Sequence, residues 1–183
     1  MKRATLMGNK IPYEYFITKG KGESDITTHA GSYHLALKEA GIEKFNIMTY
    51  SSILPKQAKQ IPNCPRWLTF GAVMDTIMAC ANGTKGETIS AGIITGWLYD
   101  TKDVKYGGLV CEHNGNIEPD KLRTNLYASL MELYENGFKQ KGYNLKYIDT
   151  MVESTTITKE YGTVLCAICF VNYLYPVFKK ELE

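Results

Sequence analysis

The pattern of apolar and polar positions predicts a chain built mainly from β-strands. Seven segments combine aromatic and β-branched residues, either alternating with polar residues or in continuous apolar runs. They are residues 11–18, 45–51, 71–83, 86–100, 106–113, 143–155 and 161–173. The third of these also fits a helix by period alone, and a strand is favoured there. The last is apolar on both faces, which predicts a central place in its sheet.

Two further segments carry a helical period. From 120 to 141, leucines at 122, 126, 130 and 133 share one stripe with Phe138, and Pro119 suits the first turn of such a helix. A shorter helix is expected from Ser32, a reasonable N-cap, to Gly41, which would end it.

Glycine and proline mark the predicted loops. Residues 19–25, KGKGESD, are expected to form a loop, and residues 55–66, with three prolines, a surface excursion. Asn114-Gly115 is a turn signal. Helices and strands do not alternate regularly along the chain. This order favours an α/β sandwich over a doubly wound parallel sheet.

Length and charge narrow the class of protein. A chain of 183 residues suits one domain, residues 1–183. The net charge of +2, without a sustained basic stripe, argues against a nucleic-acid partner. The N-terminal stretch MKRATLMGNK is not followed by an apolar run, so neither a signal peptide nor a membrane segment is expected. Five cysteines without a disulfide framework favour the cytosol.

Two cysteines and three histidines are the candidate metal ligands in the sequence. Cys166 and Cys169 form a CxxC inside an apolar run without a second pair, so structural cysteines are favoured over a redox or metal motif. The histidines, at positions 29, 34 and 113, lack the spacing of ligands. No metal is therefore expected.

Ser51 and Ser52 stand side by side where a predicted strand runs into Leu-Pro. From spacing alone, two small polar residues ending a strand is the simplest interpretation. A hydrolase would use one serine as the nucleophile with a histidine as base, but the chain lacks the GxSxG elbow.

Several separated segments are similar to one family, in the same order. They are GES at 22–24, LALKEAGI at 35–42, FNIMTYSSILP at 45–55, GETISAGI at 86–93 and GGLVCEHNG at 107–115. Over nearly its whole length the chain resembles the pyruvoyl-dependent arginine decarboxylases, and YGTVLCAICF resembles the family's last strand. The resemblance implies an αββα sandwich of mixed and antiparallel sheets flanked by helices, as in pyruvoyl-dependent histidine and arginine decarboxylases.

The resemblance also implies that the chain cuts itself between Ser51 and Ser52, into residues 1–51 and 52–183. The Ser52 hydroxyl would attack the Ser51 carbonyl, and elimination and hydrolysis would leave a pyruvoyl group at position 52. This covalent group, without a metal or pyridoxal phosphate, would form a Schiff base with arginine and release carbon dioxide and agmatine.

Two more residues receive roles from the resemblance. Glu112, at the end of an apolar strand, would donate the proton to the substrate carbanion, and burial would favour its protonated form. Asn46 would hold or polarise the oxyanion at the cleavage site. Because residues 46–52 span about 20 Å when extended, Asn46 would reach Ser52 only through a bend or across a subunit boundary. The second option fits the trimer, or dimer of trimers, that the resemblance implies.

Specificity for arginine is the point where the chain departs from the family pattern. His34 falls where an acidic residue is expected to bind the guanidinium, and Glu23 or Asp25 would have to substitute for it. Two alternatives therefore stay open: a decarboxylase of another amino acid, or an unprocessed, non-catalytic trimeric relative.

Overall fold

The structure, a computed structural model, describes residues 2–182. Its strands are β1 (Lys2–Met7), β2 (Ile11–Pro12), β3 (Glu14–Ser24), β4 (Asn46–Thr49), β5 (Ile53–Pro55), β6 (Lys59–Gln60), β7 (Val73–Thr84), β8 (Thr88–Tyr99), β9 (Lys105–Gly115), β10 (Asn144–Thr156), β11 (Tyr161–Phe170), β12 (Tyr173–Leu174) and β13 (Val177–Leu182). Its α-helices are α1 (His34–Glu39) and α2 (Pro119–Gly137). A π-helical turn covers Thr28–Tyr33, and a 3₁₀ turn covers Lys139–Lys141.

The larger sheet has five strands in the order β4-β7-β11-β3-β6. Strand β11 lies at its centre, antiparallel to β3 and β7, and the short outer strands β4 and β6 run parallel to their neighbours. Nine consecutive residues of β11, from Gly162 to Phe170, are buried. The central position predicted for this apolar segment is confirmed, and so is the strand predicted over 71–83.

The second sheet has four antiparallel strands in the order β10-β8-β9-β5. Strands β8 and β9 form a long hairpin, and β5 pairs only with the first half of β9, at residues 107–109. Two small ribbons, β1–β13 and β2–β12, complete the strand pairing.

Apolar side chains form three buried clusters. One contains inward-facing residues of both sheets, among them Ile77, Ile93 and Ile168. The second packs α1 against the larger sheet, and the third packs the α2 leucines 122, 126 and 130 against the smaller one. The protein is thus a mixed α/β fold, rich in sheet, with two helices.

The loop predicted at 19–25 is wrong, because β3 continues through it to Ser24. Its glycines serve close packing rather than a turn. A Cβ on Gly20 would lie 2.2 Å from the Ala36 carbonyl oxygen, and one on Gly22 would lie 2.4 Å from that of Ser32. Only glycine lets the backbone of the helical segment approach the strand this closely.

Ser32 is not an N-cap as predicted. It lies inside the π-helical turn, fully buried, and its hydroxyl lies 2.9 Å from that of Thr163 on β11. The helix end at Gly41 is confirmed, with this glycine in the left-handed region at φ +71°.

Smaller differences concern the ends of elements. Pro119 begins α2 as predicted, but the helix ends at Gly137 and a 3₁₀ turn follows. Asn114-Gly115 ends β9 rather than forming a turn. The excursion at 55–66 is largely exposed but contains buried Ala58 and the edge strand β6.

Candidate active site

The two serines lie where the chain crosses from one sheet to the other. Before them, the Tyr50 N–H donates to the Thr76 carbonyl oxygen of β7 at 2.6 Å, which ties this residue to the five-stranded sheet. After them, Ile53 pairs with Leu109 of β9 in the four-stranded sheet. The strand predicted at 45–51 ends here because its hydrogen-bonding partner changes from β7 to β9.

Backbone hydrogen bonds shape the Ser51–Ser52 peptide into a tight turn. The Ile53 N–H donates to the Ser51 carbonyl oxygen at 3.1 Å, closing a three-residue turn centred on Ser52. The Val110 N–H donates to the Ser52 carbonyl oxygen at 3.0 Å. The Ser51 carbonyl is therefore held and polarised by a backbone donor, while Ser51 itself is exposed.

The Ser52 hydroxyl contacts a carboxylate 60 residues away. Its Oγ lies 3.0 Å from Glu112 Oε1 and 3.0 Å from Glu112 Oε2. A hydroxyl that donates to a carboxylate can lose its proton to that group as it attacks a carbonyl carbon. The pair thus has the geometry of a nucleophile and its general base.

The alternation of side chains along β9 places Glu112 on the face of the strand that contacts Ser52. Val110 and Glu112 lie on one face of β9, and Val110 belongs to the core between the sheets. His113 lies on the other face, and its Nε2 is 2.8 Å from Ser129 Oγ on α2. Because β5 covers only residues 107–109, the edge of β9 beside Glu112 is open, and the Glu112 side chain is half-buried.

An open cleft of about 460 Å³ surrounds this pair. It is lined by Ser51, Ser52, Ile53, Val110, Cys111, Glu112, His113, Ser129 and Leu133. A free amino acid fits in such a volume. Sequence reasoning missed the two α2 residues of this lining, Ser129 and Leu133. Leu133 lies at the end of the leucine stripe and is partly exposed, so its side chain can reach the cleft.

Asn46 lies at the start of β4, on the edge of the five-stranded sheet. It is exposed, and its side-chain amide donates to the Gly71 carbonyl oxygen at 2.8 Å. It is not among the residues that line the Ser52 cleft of the same chain. Its predicted role beside Ser52 stays a prediction.

The three predicted substrate-binding residues also lie outside this cleft. Glu23 accepts hydrogen bonds from the Thr158 N–H and hydroxyl at 2.9 and 2.6 Å, and these bonds lower its pKa. Asp25 lies 3.4 Å from the Lys159 ammonium. His34 is exposed on α1, beside a separate surface concavity. Within one chain, then, Glu23 at the end of β3 and Asp25 just after it fasten residues 158–159, and their predicted binding role stays a prediction.

The cysteines are all free thiols. Cys166 lies in the cluster between the sheets and Cys169 in the cluster under α1, so the two side chains of the CxxC point to opposite faces of β11. Burial raises the pKa of both thiols, that of Cys166 to about 12. They are structural, as predicted. Within residues 2–182, no group of three or more His, Cys, Asp or Glu side chains is placed to hold a metal ion.

A buried carboxylate lies next to the Ser-Ser turn and was missed by sequence reasoning. Asp75 on β7 is only 5% exposed, and its Oδ2 accepts hydrogen bonds from Lys10 at 2.6 Å, Tyr50 at 2.7 Å and Tyr173. Burial alone would raise the pKa of Asp75, but these three donors lower it overall. The available signal was a single acid within the apolar run GAVMDTIMAC.

Comparison with known proteins places this geometry in a family. The family model for pyruvoyl-dependent arginine decarboxylases matches residues 14–175. A pyruvoyl-dependent arginine decarboxylase AaxB of Chlamydia abortus is 29% identical, covering 91% of this chain and 94% of its own. Pyruvoyl-dependent arginine decarboxylases of Methanocaldococcus jannaschii and Thermococcus sibiricus are 28% and 24% identical, covering 82% and 80% of this chain and 85% and 89% of their own.

The matching proteins are decarboxylases with a covalent pyruvoyl group. The chain belongs to the pyruvoyl-dependent arginine decarboxylase family, because the family model covers most of its length. It is thus a carboxy-lyase whose cofactor is a pyruvoyl group rather than a metal or pyridoxal phosphate. No helix within residues 2–182 is both long and apolar enough to cross a lipid bilayer.

Proposed function

We propose that this protein cuts itself between Ser51 and Ser52 and then decarboxylates L-arginine to agmatine and carbon dioxide. One observation carries the proposal: the Ser52 hydroxyl lies 3.0 Å from both carboxylate oxygens of Glu112, directly beside the bond to be cut. The family membership of the chain supports the same chemistry.

Self-cleavage begins when Glu112 takes the proton of the Ser52 hydroxyl. The Oγ attacks the Ser51 carbonyl carbon, the peptide C–N bond breaks, and the acyl group moves to oxygen while the Ser52 nitrogen gains a proton. Loss of the Ser52 Cα proton then breaks the Cβ–O bond, which releases the Ser51 carboxylate and leaves dehydroalanine at position 52. Water converts this residue to the pyruvoyl group and releases ammonia.

The residues around position 52 fit such a group. Residue 52 is half-buried at the wall of an open cleft, and Glu112 faces it. When formed, the pyruvoyl group supplies a carbonyl that condenses with the substrate amine and accepts the electron pair left by departing carbon dioxide. Glu112 is then placed to hold a proton for the substrate α-carbon, and Leu133 and Ile53 give the cleft an apolar wall.

Arginine is proposed as the substrate because the matched relatives are named for it. Of the nine residues lining the cleft, Glu112 alone is acidic, so a carboxylate that binds the guanidinium has to come from elsewhere. Glu23 and Asp25 of a neighbouring subunit are the proposed source, with His34 at the family's acidic position. A different amino acid as substrate is the second candidate, and this histidine favours it.

Assembly as a trimer, with a dimer of trimers as the larger alternative, completes the proposal. Its support is the position of Asn46 outside the cleft, on an edge strand flanked by exposed apolar side chains of Met48, Phe70 and Val73. Each subunit is proposed to be one domain, an αββα sandwich, cut into residues 1–51 and 52–183. The five free thiols support a cytosolic location.

The first test is the mass of the purified protein under denaturing conditions. Two chains of 51 and 132 residues, the larger blocked to Edman chemistry, are expected for the unaltered protein, because 183 minus 51 is 132. Ser52→Ala should remain one chain of full length and release no carbon dioxide. A panel of arginine, ornithine, lysine and histidine, assayed by carbon dioxide release, then decides the substrate. An unaltered protein that stays whole after prolonged warm incubation would favour the non-catalytic relative instead.

A further inference from the structure

The scissile peptide lies between two anchors that belong to different sheets. On its C-terminal side, Ser52 and Ile53 are hydrogen-bonded to β9. On its N-terminal side, Tyr50 is fixed twice: its backbone N–H donates to Thr76, and its hydroxyl donates to Asp75 at 2.7 Å. The single exposed residue between the anchors is Ser51, which carries the carbonyl to be attacked.

Asp75 is an unusual choice for this anchor. It faces away from solvent in a strand where Val73, Met74 and Ile77 are apolar, and a buried carboxylate needs donors to offset the loss of hydration. Three donors from distant parts of the chain meet on one of its oxygens: Lys10, Tyr50 and Tyr173. The Lys10 ammonium also lies 5.1 and 4.7 Å from the ring centroids of the two tyrosines.

Two of the three donors have an obvious structural task. Lys10 immediately precedes β2 and Tyr173 lies in β12, so their bonds to Asp75 fasten the β2–β12 ribbon to β7. Tyr50 has no such task, since its backbone already holds it to β7. What its hydroxyl adds is a fixed side chain on the residue directly before the turn.

We infer that Asp75 is a positioning residue for self-cleavage, acting through the Tyr50 hydroxyl to hold the Ser51 carbonyl within reach of the Ser52 oxygen. The Lys10 ammonium supplies the charge that compensates this buried carboxylate, whereas the Tyr173 bond serves to fasten β12. The step needs this support because the attacking oxygen and the attacked carbon belong to adjacent residues, which reach the attack geometry only if the backbone on both sides is held. A misplacement of about 1 Å between reacting atoms costs on the order of 100-fold in rate. This inference rests on the proposed self-cleavage.

Two isosteric variants separate positioning from structural support. Tyr50→Phe and Tyr173→Phe each remove one hydroxyl that donates to the same oxygen of Asp75, but only Tyr50 adjoins the bond to be cut. Each full-length chain is made by cell-free translation with a short labelling pulse, and the appearance of the two fragments is followed by gel. Melting temperature is measured on the Ser52→Ala background, so that every chain is compared uncut.

Tyr50→Phe should slow cleavage about 10- to 100-fold, Asp75→Asn should slow it at least as much, and Tyr173→Phe should stay within about threefold of the unaltered chain. Once cleavage of Tyr50→Phe is complete, turnover per pyruvoyl group should match that of the unaltered protein, because the scissile bond no longer exists. Equal slowing of the two tyrosine variants in step with their melting temperatures, or no slowing of Tyr50→Phe, would overturn the inference. An unaltered chain that never cuts itself would instead overturn the proposed self-processing.

Discussion

Replacing Glu112 with glutamine is the most informative single change at this site. The substitution keeps the size of the side chain but removes its charge, so the Ser52 hydroxyl loses a base that now lies 3.0 Å away at both oxygens. A well-placed general base contributes roughly 10²- to 10⁴-fold to a rate, which corresponds to about 3–5 kcal/mol of activation free energy. Cleavage of Glu112→Gln should therefore slow at least 100-fold. It should not stop, because the turn and the Ile53 N–H remain.

The assay is the same labelling pulse, with incubation extended to days, and Glu132→Gln on the exposed side of α2 serves as a charge-matched control. After the fragments have formed, decarboxylation per pyruvoyl group should still be low, because the proton source for the substrate carbon is gone. Cleavage of Glu112→Gln within threefold of the control would refute the role of this carboxylate as base. Normal turnover by the cut protein would refute its role as proton donor.

Three further predictions concern assembly, packing and pH. Asn46→Ala and Ser52→Ala chains should each be defective in cleavage when expressed alone. If Asn46 serves a neighbouring subunit, co-expression should restore cleavage of the Asn46→Ala chains, because the Ser52→Ala chains supply the asparagine. The absence of fragments in the mixture would place the action of Asn46 within one chain. Gly22→Ala should destabilise the protein by about 3 kcal/mol in urea unfolding, because the new Cβ meets backbone atoms, whereas Gly137→Ala, with open space around it, should change stability by less than about 1 kcal/mol. Because its partners lower the pKa of Asp75, its ionisation stabilises the fold above about pH 4, near its unfolded value, and this contribution fades as pH falls through the lower folded value. Asp75→Asn should therefore lose less stability than the unaltered protein between pH 6 and pH 3, and parallel losses would contradict the assignment.

The sequence predicted elements whose patterns are local. The leucine stripe of α2 and the apolar run of β11 announce a helix and a central strand, and both predictions are confirmed. Gly20 and Gly22 led to the wrong prediction of a loop at 19–25. In the sequence, a glycine that allows close approach of a neighbouring backbone cannot be distinguished from a glycine that forms a turn. Ser32 misled in a similar way, since its hydroxyl partner lies 131 residues away on another element.

The candidate site likewise has one part that is visible in the local sequence and another that depends on distant contacts. The Ser51–Ser52 pair stands out in the sequence, but nothing local joins Ser52 to Glu112, and only resemblance to a family brought the two together before their contact was seen. The network around Asp75 stayed hidden because its donors are 65, 25 and 98 residues distant. Contacts of this kind depend on sheet order, which alternation and period do not specify.

The crossing between sheets has a consequence for what a cut protein would be. The segment before Ser52 contributes β3, which lies inside the five-stranded sheet between β11 and β6, and β1, which pairs with β13 near the other end of the chain. Breaking the chain at the crossing would thus separate no layer and open no interface. It would convert a single polypeptide into an interwoven heterodimer. The smaller fragment would be held by backbone hydrogen bonds between its strands and those of the larger fragment. Refolding from denaturant would then become bimolecular and depend on concentration, while the native protein would lose nothing of its shape.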